Sequence, residues 1–354
     1  MPALDDRAGR LTIRRRRFYR RQLGVTLVVG AVAATFLVVP ALAAVPARVV
    51  KGCATWILTG AALELLSALG FVVFFKLVFA APLSWRRTTP AALRALGAST
   101  VLPAGGLVGP TVGAWSTSTE KPSLSQLARS TITFIALTNA PGAVVLTTFG
   151  TLLWLGLPSG PHQAALTILP ALIAIGLLGS TWFIGGTSRA HPPAQRQHTS
   201  WRLMTKPTAA VSASITDARA LVTAGDWKLF GALAYYAFDN AVLWAAFHAY
   251  GRAPEIGVVV MGYLVGSLAG AVPIPAGLGV LEGGLIGALV LYGAPAAPAA
   301  AAVLLYRGIS LSVPIVLGTL GCTRRPGGRT LRLDSRGAQR CAVPKLAELH
   351  LDGS

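Results

Sequence analysis

Residues 270–318 read GAVPIPAGLGVLEGGLIGALVLYGAPAAPAAAAVLLYRGISLSVPIVLG, and they are the most informative part of this sequence. It is almost entirely apolar, yet Pro275 and Gly277 interrupt it, and it carries one carboxylate, Glu282, and one guanidinium, Arg307. Apolar runs of this length are typical of helices that span a bilayer. Backbone breaks and opposite charges inside such runs are costly and usually mark a pathway or a binding site. The stretch therefore predicts a membrane protein that handles lipids or solutes.

Composition excludes an ordinary soluble domain. Of the 354 residues, 53% are hydrophobic and 12% are charged, whereas soluble domains carry about 25% charged residues. A net charge of +19 would indicate nucleic-acid binding in a soluble protein. Here the basic residues lie mostly in loops and tails, which favours anionic lipid headgroups as partners, and no nucleic acid is expected.

Apolar segments recur along the chain and can span a bilayer only as helices. They fall near 23–45, 54–81, 90–113, 130–156, 162–185, 227–249, 256–272, 277–293 and 297–320. This segmentation predicts an all-α polytopic membrane protein, a helical bundle of about seven to nine membrane segments.

The ends of the chain are more polar than its middle. We assign 1–22 to a basic cytoplasmic arm, 23–320 to the transmembrane domain and 321–354 to a basic, largely disordered cytoplasmic tail. The first apolar segment resembles a signal peptide, although its length favours an uncleaved helix. An amphipathic linker is expected at about 186–226, and its helix at 209–226 either lies on the inner membrane surface or is an ordinary cytoplasmic linker.

The basic residues also decide how segment 90–113 is placed. Cytoplasmic loops of membrane proteins carry an excess of Lys and Arg. If both termini are cytoplasmic and 90–113 enters and leaves on the same side, the basic residues outside are Arg48, Lys51 and Arg252. A full crossing would instead put the basic loop at 186–208 outside. The pattern therefore favours a re-entrant segment over a spanning helix.

A short internal repeat supports this interpretation. LPAG at 102–105 matches IPAG at 274–277, and both run into glycine-rich apolar sequence. Residues 256–272 and 277–293 would form a second hairpin, entering from the outside with IPAG near its tip. This predicts an inverted repeat whose broken helices meet near the membrane midplane; the alternative is two kinked spanning helices. The glycines of 277–287 are expected at close helix contacts.

Glu282 and Arg307 are the strongest candidate pair. The turn between their helices lies near Pro295, about 12 residues from each, so antiparallel helices would bring both to the same depth. An unpaired charge there is costly, and we therefore expect a salt bridge. The pair is either a permanent brace or a site at which Arg307 engages a lipid phosphate when Glu282 releases it.

Two further carboxylates lie within apolar segments. Glu64 is deep enough to face a cavity, and Asp239 belongs either to a helix-packing polar cluster or to a polar wall for a headgroup. The Pro/Gly breaks add backbone N–H groups that can bind an anion. The candidate ligand-binding residues are Glu64, Pro103, Gly105, Gly106, Asp239, Pro275, Gly277, Gly279, Glu282 and Arg307.

Signals of catalysis are absent from the sequence. It contains no G-x-x-x-x-G-K-[ST] motif for an ATP motor, no HExxH, no paired-Asp metal motif and no evident Ser-His-Asp grouping. Cys53, Cys322 and Cys341 fit no metal or redox spacing. We therefore expect a protein that is not an enzyme, with no catalytic residues, no metal and no cofactor.

The motifs resemble a known family. P-x-P-x-G-x-G-V-x-E from Pro273 to Glu282, then a glycine-rich helix, an A-P turn and L-L-Y-R from Leu304 to Arg307, resemble the lysylphosphatidylglycerol synthase transmembrane, or flippase-like, family of bacterial and archaeal membrane proteins. LPAGGLVG at 102–109 sits where that family has its first Pro/Gly-rich segment, but it lacks the basic residue expected shortly after the glycines.

The resemblance implies a role in moving or presenting lipids at the cell membrane. We expect a multi-pass flippase or lipid-transport factor for a phospholipid or a polyprenyl-linked glycolipid, without the aminoacyl transfer that a separate soluble domain performs in fused synthases. One alternative is a non-transporting scaffold with a cell-envelope enzyme as its partner. Another is an ion-coupled small-solute transporter, with Glu64 and Asp239 as coupling groups.

Overall fold

A computed structural model describes residues 52–80, 83–102, 105–117, 123–156, 163–187, 207–271 and 279–323. Within these ranges the secondary structure is helical, with no strand. The helices are α1 (Ala54–Phe79), α2 (Trp85–Val101), α3 (Gly105–Thr117), α4 (Leu124–Trp154), α5 (Ala164–Thr187), α6 (Pro207–Thr223), α7 (Phe230–Ala249), α8 (Ile256–Ser267), α9 (Val280–Leu291) and α10 (Ala296–Thr323). Short 3-10 helices, Trp227–Leu229 and Leu268–Ala271, precede α7 and extend α8. The predicted arm, first apolar segment and tail beyond Thr323 lie outside the described residues.

Three of the described helices are long and apolar enough to cross a membrane: α1, α10 and the Ser125–Trp154 part of α4. The 26 residues of α1 extend about 39 Å, more than the roughly 30 Å of a hydrocarbon core. The 20-residue α7 breaks its apolar pattern with Tyr235, Tyr236 and Asp239. The predicted all-α membrane class is confirmed, while the number of spanning segments remains a prediction.

Segment 90–113 belongs to a helical hairpin, hairpin A, formed by α2 and α3. A Cβ added to Gly109 would lie 2.7 Å from the backbone nitrogen of Ser99. Further from the break, a Cβ on Gly113 would lie 2.6 Å from the Cβ of Ala95. The two helices are therefore antiparallel and in close contact, so the chain reverses direction between α2 and α3, as a re-entrant segment requires.

The second motif interrupts a matching hairpin, hairpin B, formed by α8 with its 3-10 extension and by α9. Here a Cβ on Gly266 would lie 2.6 Å from the Cα of Leu285, and one on Gly262 would lie 3.1 Å from the Cα of Leu289. Residues 272–278, which contain the motif, lie outside the described ranges. The second pair of predicted segments is thus also an antiparallel hairpin.

The two hairpins belong to an internal repeat that covers most of the bundle. A shift of 172 residues, from Ala104 to Ala276, superimposes the two motifs. The same shift carries α1 onto 226–251, which contain a 3-10 helix and α7, and carries α4 onto 296–326, where α10 lies. We call α1–α4 the first repeat, and the 3-10 helix at 227–229 together with α7–α10 the second repeat.

The equivalent helices α1 and α7 run in opposite directions. The Cys53 N–H donates to the Ala249 carbonyl oxygen over 2.9 Å at one end, and the Ser67 hydroxyl donates to the Tyr235 carbonyl oxygen over 2.9 Å further along. A Cβ on Gly70 would lie only 2.7 Å from the Tyr235 nitrogen, so the backbones nearly touch. Equivalent elements that point opposite ways define an inverted-topology repeat, as the sequence predicts.

Helix α10 lies beside both hairpins. Hairpin A packs on its C-terminal half, because a Cβ on Gly97 would lie 2.9 Å from the Cα of Gly318, and one on Gly321 would lie 2.8 Å from the Pro90 carbonyl oxygen. Hairpin B reaches α10 from the other end, since only residues 292–295 connect α9 to α10. The two hairpins therefore approach the middle of α10 from opposite ends.

The linker helix α6 packs against α4 and α5. The Arg129 guanidinium donates hydrogen bonds to both carboxylate oxygens of Asp217. Ile215 is buried, but Val211 and Val222, which share its predicted apolar face, are exposed. The predicted helix is present, and only the central part of its expected apolar face is buried. Residues 188–206 of the linker lie outside the described ranges.

Candidate functional site

The site lies where α9 begins beside α10. The Arg307 Nε donates to Glu282 Oε1 over 2.8 Å, and each residue is only 6% exposed. The short connection between two antiparallel helices brings together residues that are 25 positions apart. The predicted ion pair is therefore confirmed, while its role in ligand binding remains a prediction.

The second oxygen of Glu282 fastens the pair to the break in hairpin B. The Gly279 N–H donates to Glu282 Oε2 over 2.7 Å, which satisfies a backbone donor at the start of α9. A carboxylate in the first helical turn also interacts favourably with the helix dipole. Gly279 has a φ of +80°, a conformation that glycine adopts without a Cβ penalty. Hence Arg307, Glu282 and the residue that follows the break form one connected unit.

A second polar group surrounds Asp239 on α7. Tyr263 on α8 donates its hydroxyl to Asp239 Oδ2. Tyr306 on α10 donates to the same carboxylate, at 3.0 Å from Oδ2 and 3.2 Å from Oδ1. Tyr306 directly precedes Arg307, so α10 contributes Tyr306 to the group around Asp239 and Arg307 to the pair with Glu282. The positive charge of Arg307 also acts on the Asp239 carboxylate.

Glu64 faces this group from α1. A Cβ on Gly60 would lie 3.8 Å from the Val242 side chain, and Ser67 donates to the Tyr235 carbonyl oxygen; these two neighbours give the register of α1 against α7. Glu64 lies between these two contacts and interacts electrostatically with Asp239. It is only 5% exposed, and its Oε2 has no hydrogen-bond partner among the described residues. The structure therefore brings together Glu64 and Asp239, which are far apart in sequence.

Other buried polar atoms near Asp239 and Tyr306 also lack hydrogen-bond partners within the described ranges. They are the Tyr236 hydroxyl, the Asn240 Nδ2 and the Ser310 Oγ. Tyr236 and Asn240 flank Asp239 on α7, and Ser310 lies one helical turn after Tyr306. Buried polar atoms are rarely left unpaired in native proteins, so these three atoms are candidates to contact a ligand, an ion or water.

The two polar groups contain more carboxyl groups than cations. Three carboxyl groups, those of Glu64, Asp239 and Glu282, lie in these two groups together with one guanidinium, that of Arg307. No set of three or more His, Cys, Asp or Glu side chains is arranged to hold a metal ion in the part of the chain that the structure describes. The site thus combines a phosphate-binding type of cation with more acidic groups than that cation can neutralise.

Lys76 lies apart from this site. It is buried near the end of α1, where its ammonium donates to the Leu83 carbonyl oxygen and lies 5.0 Å from the centre of the Trp85 ring. These contacts join the end of α1 to the start of α2. Lys76 therefore stabilises the bundle where hairpin A begins.

The remaining predicted site residues are glycines and prolines at the breaks. Gly105 and Gly106 begin α3, and a Cβ on Gly106 would meet no atom within 4 Å. Pro103, Pro275 and Gly277 lie outside the described residues. Anion binding by either break therefore remains a prediction.

The expectation that the glycines of 277–287 lie at close helix contacts is wrong for three of them. A Cβ on Gly284 would lie 2.4 Å from the Cβ of Ala269, but a Cβ on Gly279, Gly283 or Gly287 would meet no atom within 4 Å. The reason is helical geometry, since Gly283 and Gly287 are one turn apart on a face that α9 turns away from α8.

Sequence reasoning missed Tyr263 and Tyr306. A hydroxyl donor inside an apolar span needs an acceptor, and Asp239 in a neighbouring span supplies one. That requirement could have suggested a tyrosine partner for Asp239, but not which tyrosine, because the choice depends on how α7, α8 and α10 pack.

The comparison with protein families agrees with these observations. The family model described as the lysylphosphatidylglycerol synthase TM region matches residues 22–318. The matched range contains both hairpins and every residue of the two polar groups. No curated protein matches the chain.

Proposed function

Because the chain belongs to the lysylphosphatidylglycerol synthase TM region family, we propose that this membrane protein is a flippase or transport factor for lipids with an anionic headgroup. The cargo would be a phospholipid or a polyprenyl-linked glycolipid. The observation that carries the proposal is the buried Glu282–Arg307 pair, fastened to the break of a hairpin within an inverted repeat.

Arg307 has the chemistry that a lipid phosphate requires. A guanidinium binds phosphate through paired N–H groups and remains charged at any physiological pH. Glu282 holds Arg307 with one oxygen and the Gly279 N–H with the other. If a phosphate replaces the first contact, Glu282 still caps α9 through the second. Glu282 would therefore keep Arg307 neutralised until a headgroup arrives.

The inverted repeat suggests how the site would reach both sides of the membrane. Transporters with this architecture bind cargo between the repeats and alternate access by moving one against the other. Hairpins A and B approach α10 from opposite ends, and α10 carries Arg307. We place the protein in the cytoplasmic membrane with both termini inside, and we assign it transport without covalent chemistry.

Reconstitution of the full chain in vesicles tests this function. The probe is phosphatidylglycerol with a fluorescent headgroup-proximal label, and the measurement is its bleaching by a membrane-impermeant reductant. The expected result is that the protein accelerates transbilayer movement. Arg307→Lys keeps a cation opposite Glu282 but loses the planar guanidinium, so movement should slow by about tenfold or more.

The exposed Arg252 supplies the matched control, since Arg252→Lys should move lipid at the parent rate. Chromatographic homogeneity and thermal unfolding establish that each variant is folded. Absence of movement with phospholipid and with polyprenyl-linked glycolipid probes would overturn the proposal. Stable co-purification with a cell-envelope enzyme in that case would favour the scaffold alternative.

A further inference from the structure

The carboxyl pair formed by Glu64 and Asp239 has no part in the headgroup contact described above. The two side chains lie on the antiparallel helices α1 and α7, at the centre of the contact between the two repeats. Glu64 enters the pair from the first repeat and Asp239 from the second. A group placed between them can therefore respond to the relative position of the repeats.

The hydrogen bonds assign different charge states to the two carboxyl groups. Asp239 accepts from the hydroxyls of both Tyr263 and Tyr306, and hydrogen-bond donors aimed at a carboxylate favour its ionised form. Glu64 is buried, and its Oε2 receives no hydrogen bond from the described residues. An ionised Glu64 would be an uncompensated charge beside another carboxylate, whereas a protonated Glu64 avoids that cost.

The surrounding groups reinforce this difference. Those facing the pair are Tyr235 and Tyr236 from α7, Tyr263 from α8, and Tyr306 with Arg307 from α10. Within the described ranges, Arg307 is the one cation in this set, and Glu282 accepts a hydrogen bond from its Nε. No group in this set neutralises a negative charge on Glu64.

We propose that Glu64 and Asp239 form a proton-binding site, with the proton on Glu64, and that this proton moves together with the anionic headgroup bound at Arg307. This inference rests on the proposed function. An anionic headgroup at Arg307 adds negative charge next to Asp239 and so makes ionisation of Glu64 more costly. By reciprocity, a protonated Glu64 strengthens headgroup binding. Release of the headgroup lowers the affinity of Glu64 for its proton. The proton then passes from the Glu64 oxygen to water on that side of the membrane.

The first measurement is the pH dependence of headgroup binding. The probe is short-chain, water-soluble phosphatidylglycerol, and the protein is the full chain in detergent. Affinity should rise as pH falls, by up to about tenfold per pH unit when one proton binds with each headgroup. Glu64→Gln should make affinity independent of pH, and Glu64→Asp, which can still be protonated, should restore the dependence.

A matched control is available on the surface. Glu255 is exposed in the connection before α8, and Glu255→Gln should keep the pH dependence of the parent. Affinity that is independent of pH in the parent, or that follows sodium concentration instead, would overturn the proposal. A pH dependence that persists in folded Glu64→Gln would overturn it as well.

A second measurement separates the proton site from the lipid function. Infrared difference spectroscopy of the full chain at neutral pH should show the carbonyl stretch of a protonated carboxyl group, shifted in D₂O and absent from Glu64→Gln. Absence of this band in the parent overturns the proton site. If the band is present but reconstituted protein moves no lipid, the proton site stands and the proposed lipid function fails.

In vesicles that do transport lipid, the rate should respond to an imposed pH gradient. An acidic lumen or an acidic exterior should favour movement away from the acidic side, because the proton accompanies the headgroup. Glu64→Gln should abolish this directional response and Glu255→Gln should retain it. Equal movement in both directions under a gradient in the parent would overturn the coupling.

Discussion

The two repeats share one architecture, but their chemistry differs. Each consists of a long helix, a broken hairpin and a second long helix, with equivalent positions 172 residues apart. In the second repeat, the hairpin carries Glu282 and the following helix carries Arg307. The positions equivalent to these in the first repeat are Pro110 and Ile135.

This difference distinguishes the residues that pack the helices together from the charged residues that are candidates for binding. In both hairpins a glycine lets the two helices pack at backbone contact distance. This glycine is Gly109 in hairpin A and Gly266 in hairpin B. Such contacts depend on small residues that let two backbones approach closely. A buried charge within a hairpin is costly, and the position in hairpin A equivalent to Glu282 is Pro110. Ligand binding is therefore a hypothesis for hairpin B in particular, because its break is joined to the Glu282–Arg307 pair.

The inverted arrangement predicts that Cys53 and Cys322 are accessible to labelling from opposite sides of the membrane. Cys53 and Cys322 are both free and exposed. Cys53 lies at the start of α1, whereas Cys322 lies at the end of α10 that packs near the start of α2. They are thus at opposite ends of the bundle. In intact cells with Cys341→Ser, an impermeant maleimide should label Cys53, and Cys322 only after permeabilisation.

Single-cysteine variants distinguish the two signals in that experiment. Cys53→Ser should eliminate labelling of intact cells, and Cys322→Ser should eliminate the additional labelling after permeabilisation. Labelling of both cysteines from the same side would contradict the inverted arrangement of the two repeats.

Removing one charge from the second repeat should have the largest energetic effect. Glu282→Gln and Arg307→Gln each leave a buried ion without its partner, which typically costs about 3–5 kcal/mol. Ile135, at the equivalent position of the first repeat, is only partly buried, so Ile135→Val should cost no more than about 0.5–1.5 kcal/mol. Unfolding in a denaturing detergent measures the differences.

The reversed pair, Glu282→Arg with Arg307→Glu, should recover part of that loss, although it forfeits the cap at Gly279. If Arg307→Gln unfolds like the parent, the pair is not a brace. Full lipid movement in the same variant would also exclude Arg307 as a binding group.

Glycine substitutions should distinguish the packed from the open face of the hairpins. Gly109→Ala in hairpin A would place a methyl group 2.6 Å from the Ala95 carbonyl oxygen, and overpacking of this kind costs about 1–3 kcal/mol. Gly283→Ala in hairpin B meets open space and should be neutral or stabilise the helix by up to about 1 kcal/mol. Thermal unfolding of the two variants in detergent compares them directly; equal destabilisation would contradict the packing described.

A second ion pair tests how far burial determines the cost of charge loss. Arg129 and Asp217 join the first repeat to the linker helix, but their side chains are 42% and 39% exposed. Exposed pairs contribute about 0–1 kcal/mol. A double-mutant cycle with Arg129→Gln and Asp217→Asn should give a coupling energy in that range. A coupling as large as that of Glu282 with Arg307 would mean that α6 is a structural part of the bundle core.

Much of the fold could be predicted from the sequence. Apolar runs near 54–81, 227–249 and 297–320 became α1, α7 and α10 with ends shifted by only a few residues. The LPAG and IPAG motifs located two hairpins. Equal spacing of Glu282 and Arg307 from Pro295 located the ion pair. These features are local, because hydropathy, helix-breaking residues and the 1.5 Å rise act within one or two neighbouring helices.

A helical membrane bundle with two broken hairpins and one buried ion pair could therefore be predicted from this sequence. Three features became known only from the folded chain: Glu64 lies next to Asp239, Tyr263 and Tyr306 donate to Asp239, and some glycines but not others contact a neighbouring helix. The physical reason is that such contacts join helices distant in sequence. Their partners are set by the register and rotation of packed helices, and no periodicity within a single helix records either of these.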